Sequence, residues 1–144
     1  MERIKCFLLV DDSKATNFFN KTMITKTDCV EEIAIAKDGK EALEYIQKGN
    51  IPEIIFLDIN MPVMDGWEFL EAYQELEEKY KNSVIVIMVG AELKPEEIAR
   101  AKKVPQVKEF KDKMLTKEAL FNLMNTYCIE MNENLQVKLR GLVA

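Results

Sequence analysis

The residues best suited to chemistry in this chain are Asp11, Asp12, Asp58 and Lys113, because each lies just beyond a short apolar run. Asp11 and Asp12 follow Cys6–Val10, Asp58 follows Ile54–Leu57, Gly90 and Ala91 follow Val84–Val89, and Lys113 comes shortly after Val107–Phe110. If those runs are strands of one parallel sheet, their carboxyl ends share an edge, which is where open α/β sheets bind ligands. Carboxylates gathered at such an edge repel and raise one another's pKa, so the cluster calls for a compensating cation. Oxygen-only ligands with room for water suit Mg2+, which takes one or two carboxylates together with phosphate oxygens. Singly, each residue has a plainer reading. Asp12 or Ser13 could cap the following helix, Lys113 could be a solvated lysine, and Met61, Met64, Trp67 and Phe110 could be packing residues. The joint placement is what points to a site.

Other chemistries are excluded by what the chain lacks. Histidine is absent, which removes the usual general base of hydrolytic triads and the commonest metal ligand. Cys6, Cys29 and Cys128 are far apart and form no C-x-x-C pair, so free thiols in a reducing cytoplasm are expected. There is no G-x-x-x-x-G-K-[ST] loop, no G-x-G-x-x-G after the first apolar run and no serine-hydrolase elbow. A net charge of −5 argues against a nucleic-acid partner. The chain opens on no charged-then-apolar leader, and no apolar run approaches the roughly 18 residues that span a bilayer. No membrane partner and a cytoplasmic location are therefore expected.

The elements that must position these residues follow from periodicity. Cys6–Val10, Ile54–Leu57 and Val84–Val89 are too short for helices and too continuously apolar for strands with one wet face, so they read as central strands. Ile33–Ala36 and Val107–Phe110 are weaker strand candidates. Helical spacing recurs in Ala15, Phe18, Phe19 and Met23, in Phe69, Ala72, Tyr73, Leu76 and Tyr80, and in Leu120, Leu123, Met124, Tyr127 and Met131. Each set predicts one buried stripe. Shorter helices are expected at Lys40–Gln47 and at Pro95–Lys102, where proline suits a first turn. A strand–helix unit repeated five times implies a doubly wound α/β fold with helices on both faces. Residues 1–131 are expected to be one unit, with 132–144 extending the last helix or forming a loose tail.

On these residues the chain resembles the receiver domain of two-component response regulators, over roughly Lys5 to Met131. The match rests on Leu8-Leu9-Val10-Asp11-Asp12, on Asp58-Ile59-Asn60-Met61-Pro62-Val63-Met64-Asp65-Gly66, on Lys113, and on Asp38-Gly39-Lys40-Glu41-Ala42-Leu43. The resemblance implies a flavodoxin-like (βα)5 sheet in the order 2-1-3-4-5. It implies that Asp58 is the phosphoacceptor, a carboxylate nucleophile fed by a sensor histidine kinase or a phosphotransfer protein. It implies a Mg2+ held by Asp12, by Asp11 largely through water, by Asp58 and by the Asn60 backbone carbonyl, with Lys113, Gly90 and Ala91 at the phosphoryl group. Met61, Pro62, Asp65 and Gly66 would shape the loop beyond the acceptor, with Gly66 allowing the backbone to turn into the next helix. Phe110 matches the family's aromatic switch position.

Two departures accompany the match. Gly90 stands where the family usually has a threonine or serine hydroxyl, so the switch loses its side-chain handle. Met114 stands where a cis proline is usual, so this loop must either differ or carry the cost of a non-proline cis bond. The alternative to a switching signalling domain is therefore a receiver-like interaction module that no longer switches. A remoter one is a magnesium-dependent phosphatase of the haloacid dehalogenase type, whose D-x-D-x-[TV] motif is replaced here by Asp11-Asp12-Ser13-Lys14. No DNA-binding module follows within the chain, so the signal is expected to leave by protein contact. Residues 94–117 carry eight basic and four acidic side chains, and the wider 94–131 region is the expected surface for a downstream, acidic partner.

Overall fold

A computed structural model describes residues 3–128 and Gly141. The elements alternate throughout: β1 (Ile4–Val10), α1 (Lys14–Thr27), β2 (Val30–Ala36), α2 (Gly39–Gln47), β3 (Ile54–Asp58), α3 (Gly66–Gln74), β4 (Val84–Val89), α4 (Pro95–Lys102), β5 (Val107–Asp112) and α5 (Lys117–Tyr127). A 3-10 turn, Glu78–Tyr80, lies between α3 and β4. The five strands are parallel in the order β2-β1-β3-β4-β5, as the doubly wound reading requires. The 132–144 expectation falls outside the described residues, Gly141 apart, as does Met131.

Strand pleating sorts the core onto two faces, because successive side chains point to opposite sides of the sheet. Phe7, Leu9, Ile54, Phe56, Val86 and Met88 meet Ile24 of α1 and Leu120, Leu123 and Met124 of α5. Leu8, Val10, Ile55, Leu57, Ile85 and Ile87 meet α2, α3 and α4 through Ala42, Ile46, Phe69, Tyr73 and Ala101. Each such aliphatic or aromatic side chain stabilises the fold by about 1.5–3 kcal/mol when withdrawn from water. The Phe7 and Phe56 rings, 5.4 Å apart and edge-on, add about 0.5–1.5 kcal/mol beyond area alone.

Several boundaries move relative to the sequence reading, mostly at the two edge strands. β2 begins at Val30 and β5 runs on to Asp112, because an edge strand has a wet side that accepts Glu31, Glu32, Lys108, Lys111 and Asp112. Such charges also discourage pairing with another chain. β1 starts at Ile4, opposite Val30, and β3 includes Asp58 itself. α3 stops at Gln74, which leaves Tyr80 in the 3-10 turn.

The larger correction concerns α1. Its buried residues are Asn17, Asn20, Ile24 and Thr27, whereas Phe18 is 75% exposed and Ala15 and Phe19 are also exposed. Hydrophobicity alone would have rolled the helix the other way. Backbone partners at the sheet edge offset the burial of Asn20 and part of that of Asn17: Asn17 Nδ2 donates to the Asp11 carbonyl at 2.8 Å while its Oδ1 is buried without a partner, and Asn20 Nδ2 donates to the Lys113 carbonyl at 3.1 Å.

Candidate functional site

The register of the central strands brings the acidic residues together. Val10 lies opposite Leu57 in the β1–β3 ladder, so the next residue on each strand, Asp11 and Asp58, shares the carboxyl edge. One oxygen from each of Asp11, Asp12 and Asp58 falls within a cluster whose members are no more than 4.8 Å apart. Asp11 and Asp58 are buried and Asp12 is exposed. Lys113 reaches in from beyond β5, its Nζ 3.4 Å from Asp58 Oδ2 and 3.6 Å from Asp11 Oδ2. The lysine is held near by its own N–H, which donates to the Val89 carbonyl at 3.2 Å.

Between the plain and functional readings of the first turn, the structure divides the labour. Ser13 caps α1, its side chain accepting from the Thr16 N–H, while Asp11 Oδ1 accepts from the Ser13 N–H at 2.8 Å. Asp12 makes no cap and faces the cluster from solvent.

Burial dominates the electrostatics. It is the largest influence on Asp58 and pushes that carboxyl up; the Asp11 charge adds to the rise, and Lys113 offsets only part of it. Burial likewise raises Asp11 against the pull of the Ser13 N–H and Lys113. At Lys113 burial pulls the ammonium down, but Asp11 and Asp58 outweigh it and the pKa ends above the usual lysine value. A carboxyl raised in the folded state gives stability that is full below its unfolded pKa, about 3.9, and is lost as pH rises through the folded value. In metal-free buffer an Asp11→Asn variant should therefore gain stability over the wild type progressively as pH climbs from about 4 toward neutrality. Urea midpoints measured at intervals across that window check it; a gap that stays constant or reverses contradicts it.

The loop beyond Asp58 is built for close approach. Asp65 caps α3 with a reciprocal capping box to Glu68. The Gly66 N–H donates to the Ile59 carbonyl at 2.8 Å, and a Cβ on Gly66 would lie 2.7 Å from the Asp58 carbonyl oxygen. Gly66 has no positive φ, so it is required for space rather than for a backbone turn, a correction to the sequence expectation. The left-handed residue is Val63, at φ 67° and 76% exposed, a conformation that disfavours a β-branched side chain. Asn tolerates that region, so Val63→Asn is expected to raise stability by about 1 kcal/mol in a urea melt; no gain would show that the loop carries no strain there.

The remaining residues singled out in the sequence take distinct positions. Met61 is buried in the α2–α3 face of the core, and Pro62 and Asn60 are exposed. Phe110 is partly buried against the same face. Gly90 and Ala91 are exposed, and a Cβ on Gly90 would touch Lys113 Cδ at an ordinary 3.5 Å, so residue 90 does adjoin the lysine. No cis peptide occurs among the described residues, so the Lys113–Met114 bond is trans and this loop differs from the cis-proline pattern. Asn17 and Asn20 were missed. Their signal was an N-x-x-N spacing, one helical turn apart, immediately downstream of the acid pair.

Parallel order 2-1-3-4-5 with an acid cluster and a lysine at the carboxyl edge defines a doubly wound α/β domain whose switch point can hold a cation and an anionic group. Residues 7–125 match the response regulator receiver domain, and the chain belongs to that family. A two-component response regulator from Cytophaga hutchinsonii superposes with a TM-score of 0.79 at 34% identity, covering 89% of this chain and 99% of that one. A chemotaxis response regulator of Vibrio cholerae gives a TM-score of 0.71 at 29% identity, covering 86% of this chain and 98% of the other. A protein-glutamate methylesterase/protein-glutamine glutaminase of Methanococcoides burtonii is 43% identical over 65 residues, 45% of this chain but only 18% of that relative. The chain thus spans a minor part of the curated relatives it matches. Among the described residues, no helix is long and apolar enough to cross a membrane.

Proposed function

We propose that this receiver domain accepts a phosphoryl group on Asp58 from a sensor histidine kinase or phosphotransfer protein and signals in the cytoplasm through protein contacts. The observation that carries the reading is the buried Asp58 carboxylate, 4% exposed, set against Asp11 and touched by the Lys113 ammonium. In the reaction an Asp58 oxygen attacks phosphorus, the bond from phosphorus to the donor imidazole nitrogen breaks, and that nitrogen keeps the electron pair. The chain has no histidine, so the donor nitrogen is not one of its own.

The donor set fits Mg2+. All its side-chain ligands are oxygens, and they lie within 4.8 Å of one another, close to about 4.2 Å, twice the Mg2+–oxygen distance. Asp11, Asp12, Asp58 and the Asn60 carbonyl would hold the ion, which when bound offsets charge on the phosphoryl oxygens. Lys113 neutralises a phosphoryl oxygen directly. The Gly90 and Ala91 N–H groups donate to the others, while Met61, Pro62, Asp65 and Gly66 keep the acceptor loop in place. Residues 1–131 form the receiver unit, and the basic region within 94–131 steers an acidic downstream partner.

A second reading, an interaction module that binds partners without switching, is favoured by Gly90, which sets no hydroxyl beside Lys113 and leaves Phe110 without that trigger. Intact mass after incubation with acetyl phosphate and Mg2+ separates the two. One phosphoryl increment, lost on chelation, is expected; no increment, together with no binding of beryllofluoride, would leave the silent module.

A further inference from the structure

We infer that Asn20 is a positioning residue for phosphoryl acceptance: it fixes the segment that carries Lys113 and so keeps that ammonium at Asp58 and Asp11. This rests on the acceptor reading above. The side chain is 4% exposed and bridges the loop with both ends of its amide, Nδ2 donating to the Lys113 carbonyl at 3.1 Å and Oδ1 accepting from the Leu115 N–H at 2.9 Å. These bonds join residues 93 and 95 positions apart in the chain.

Little else restrains that loop. The strand ladder reaches it through one bond, Lys113 N–H to the Val89 carbonyl, and Leu115 is buried. Met114, between them, is 46% exposed, and a methionine has no ring to fix φ. A lysine stem is itself flexible, so the direction of its ammonium depends on where the backbone of residue 113 is held. Asn20 holds the carbonyl of that residue, while Val89 of β4 holds its N–H. One turn earlier, Asn17 Nδ2 donates to the Asp11 carbonyl at 2.8 Å, so the same helix face also touches the acid side of the cluster. A buried amide pair on α1 thereby ties the first and last strand ends of the site to one rigid element. Asparagine supplies both a donor and an acceptor, which the Lys113 carbonyl and the Leu115 N–H together require.

The test is a double-mutant cycle in the full chain, read by the rate of adduct formation from acetyl phosphate, with Mg2+ affinity and thermal unfolding measured on the same proteins. Lys113→Ala should slow phosphorylation about 100-fold by removing a preorganised charge from the transferring group. Asn20→Ala, and the nearly isosteric Asn20→Leu that keeps the helix packed, should each slow it about 10-fold through misplacement. Adding either to Lys113→Ala should slow it no further than about twofold, since both changes act through one group. Mg2+ affinity should not fall in the Asn20 variants, because Lys113 is a competitor of the cation rather than a ligand. A merely structural asparagine would give additive rate losses, or weaken Mg2+ binding in step with the rate, and either result overturns the inference, as does an Asn20 variant that is phosphorylated at the wild-type rate. If the wild type forms no adduct, it is the acceptor reading that fails.

Discussion

An Asp58→Asn protein is expected to take up no phosphoryl group from acetyl phosphate under conditions in which the wild type takes up one. The amide presents no anionic oxygen, and neither neighbouring carboxylate can replace it. Asp11 is engaged by the Ser13 N–H and lies at the end of a different strand, and Asp12 is exposed to water that would compete with it. The same substitution should make the metal-free protein more stable at neutral pH. Asp58 is held above its ordinary pKa chiefly by burial and then by the Asp11 charge, so its ionised form is a cost to the fold that asparagine removes. A variant that functions less and melts higher is the signature of a site whose like charges are kept together for chemistry. Mg2+ should invert the order. At ten times its dissociation constant the ion stabilises the wild type by about 1.4 kcal/mol, and the variant, short of one anionic ligand, by less. Differential scanning fluorimetry with and without the metal checks both signs, and a variant that melts below the metal-free wild type would contradict the charge argument.

Gly66→Ala should be the most damaging single-methyl change near the site. The added Cβ would lie 2.7 Å from the Asp58 carbonyl oxygen, 2.7 Å from Ile59 Cα and 2.8 Å from Ile59 Cδ1. Two of those are backbone atoms at the end of β3, which is paired on both sides and cannot retreat without disturbing its ladders. Overpacking of this kind costs about 3 kcal/mol, the upper end of its usual range, because Ile59 Cδ1 can turn aside but the two backbone atoms cannot. For a chain of this size that lowers Tm by about 10 °C. Relief can come only by moving α3 away or the end of β3 aside, so phosphorylation should slow as well as stability fall. The same methyl at Gly90 meets only Lys113 Cδ, at 3.5 Å, and should leave Tm nearly unchanged. Thermal melts of the two variants side by side make the comparison; equal losses would show that the glycine at 66 is not a packing requirement.

The parts of the fold visible in the sequence were those where one physical effect dominates. Central strands buried on both faces, such as Val84–Val89, are continuously apolar, and their limits could be read directly. Pro95 opening α4 and the capping acids Asp38 and Asp65 mark their helices by local chemistry. The acid cluster was visible because strand order places every carboxyl end on one edge, whatever the details of packing. What was hidden depended on compensation across the chain. Asn17 and Asn20 read as polar positions on a helix whose phenylalanines should face inward; the Asp11 carbonyl six residues away partners Asn17, and only the distant Lys113 carbonyl and Leu115 N–H partner Asn20. Gly66 was recognised as part of a motif, but its reason, a strand carbonyl pressed against the helix start, is a property of the assembled loop.

Chemical trapping at Asp58 shows most directly whether that residue itself carries the phosphoryl group. An acyl phosphate is reduced by borohydride to an alcohol, so a phosphorylated aspartate becomes homoserine and can be found by peptide sequencing. After treatment with acetyl phosphate and Mg2+, homoserine is expected at position 58 and nowhere else, and it should vanish when the metal is chelated. Homoserine at position 11 or 12, or a phosphoryl increment in the intact protein with no reducible aspartate, would contradict the account.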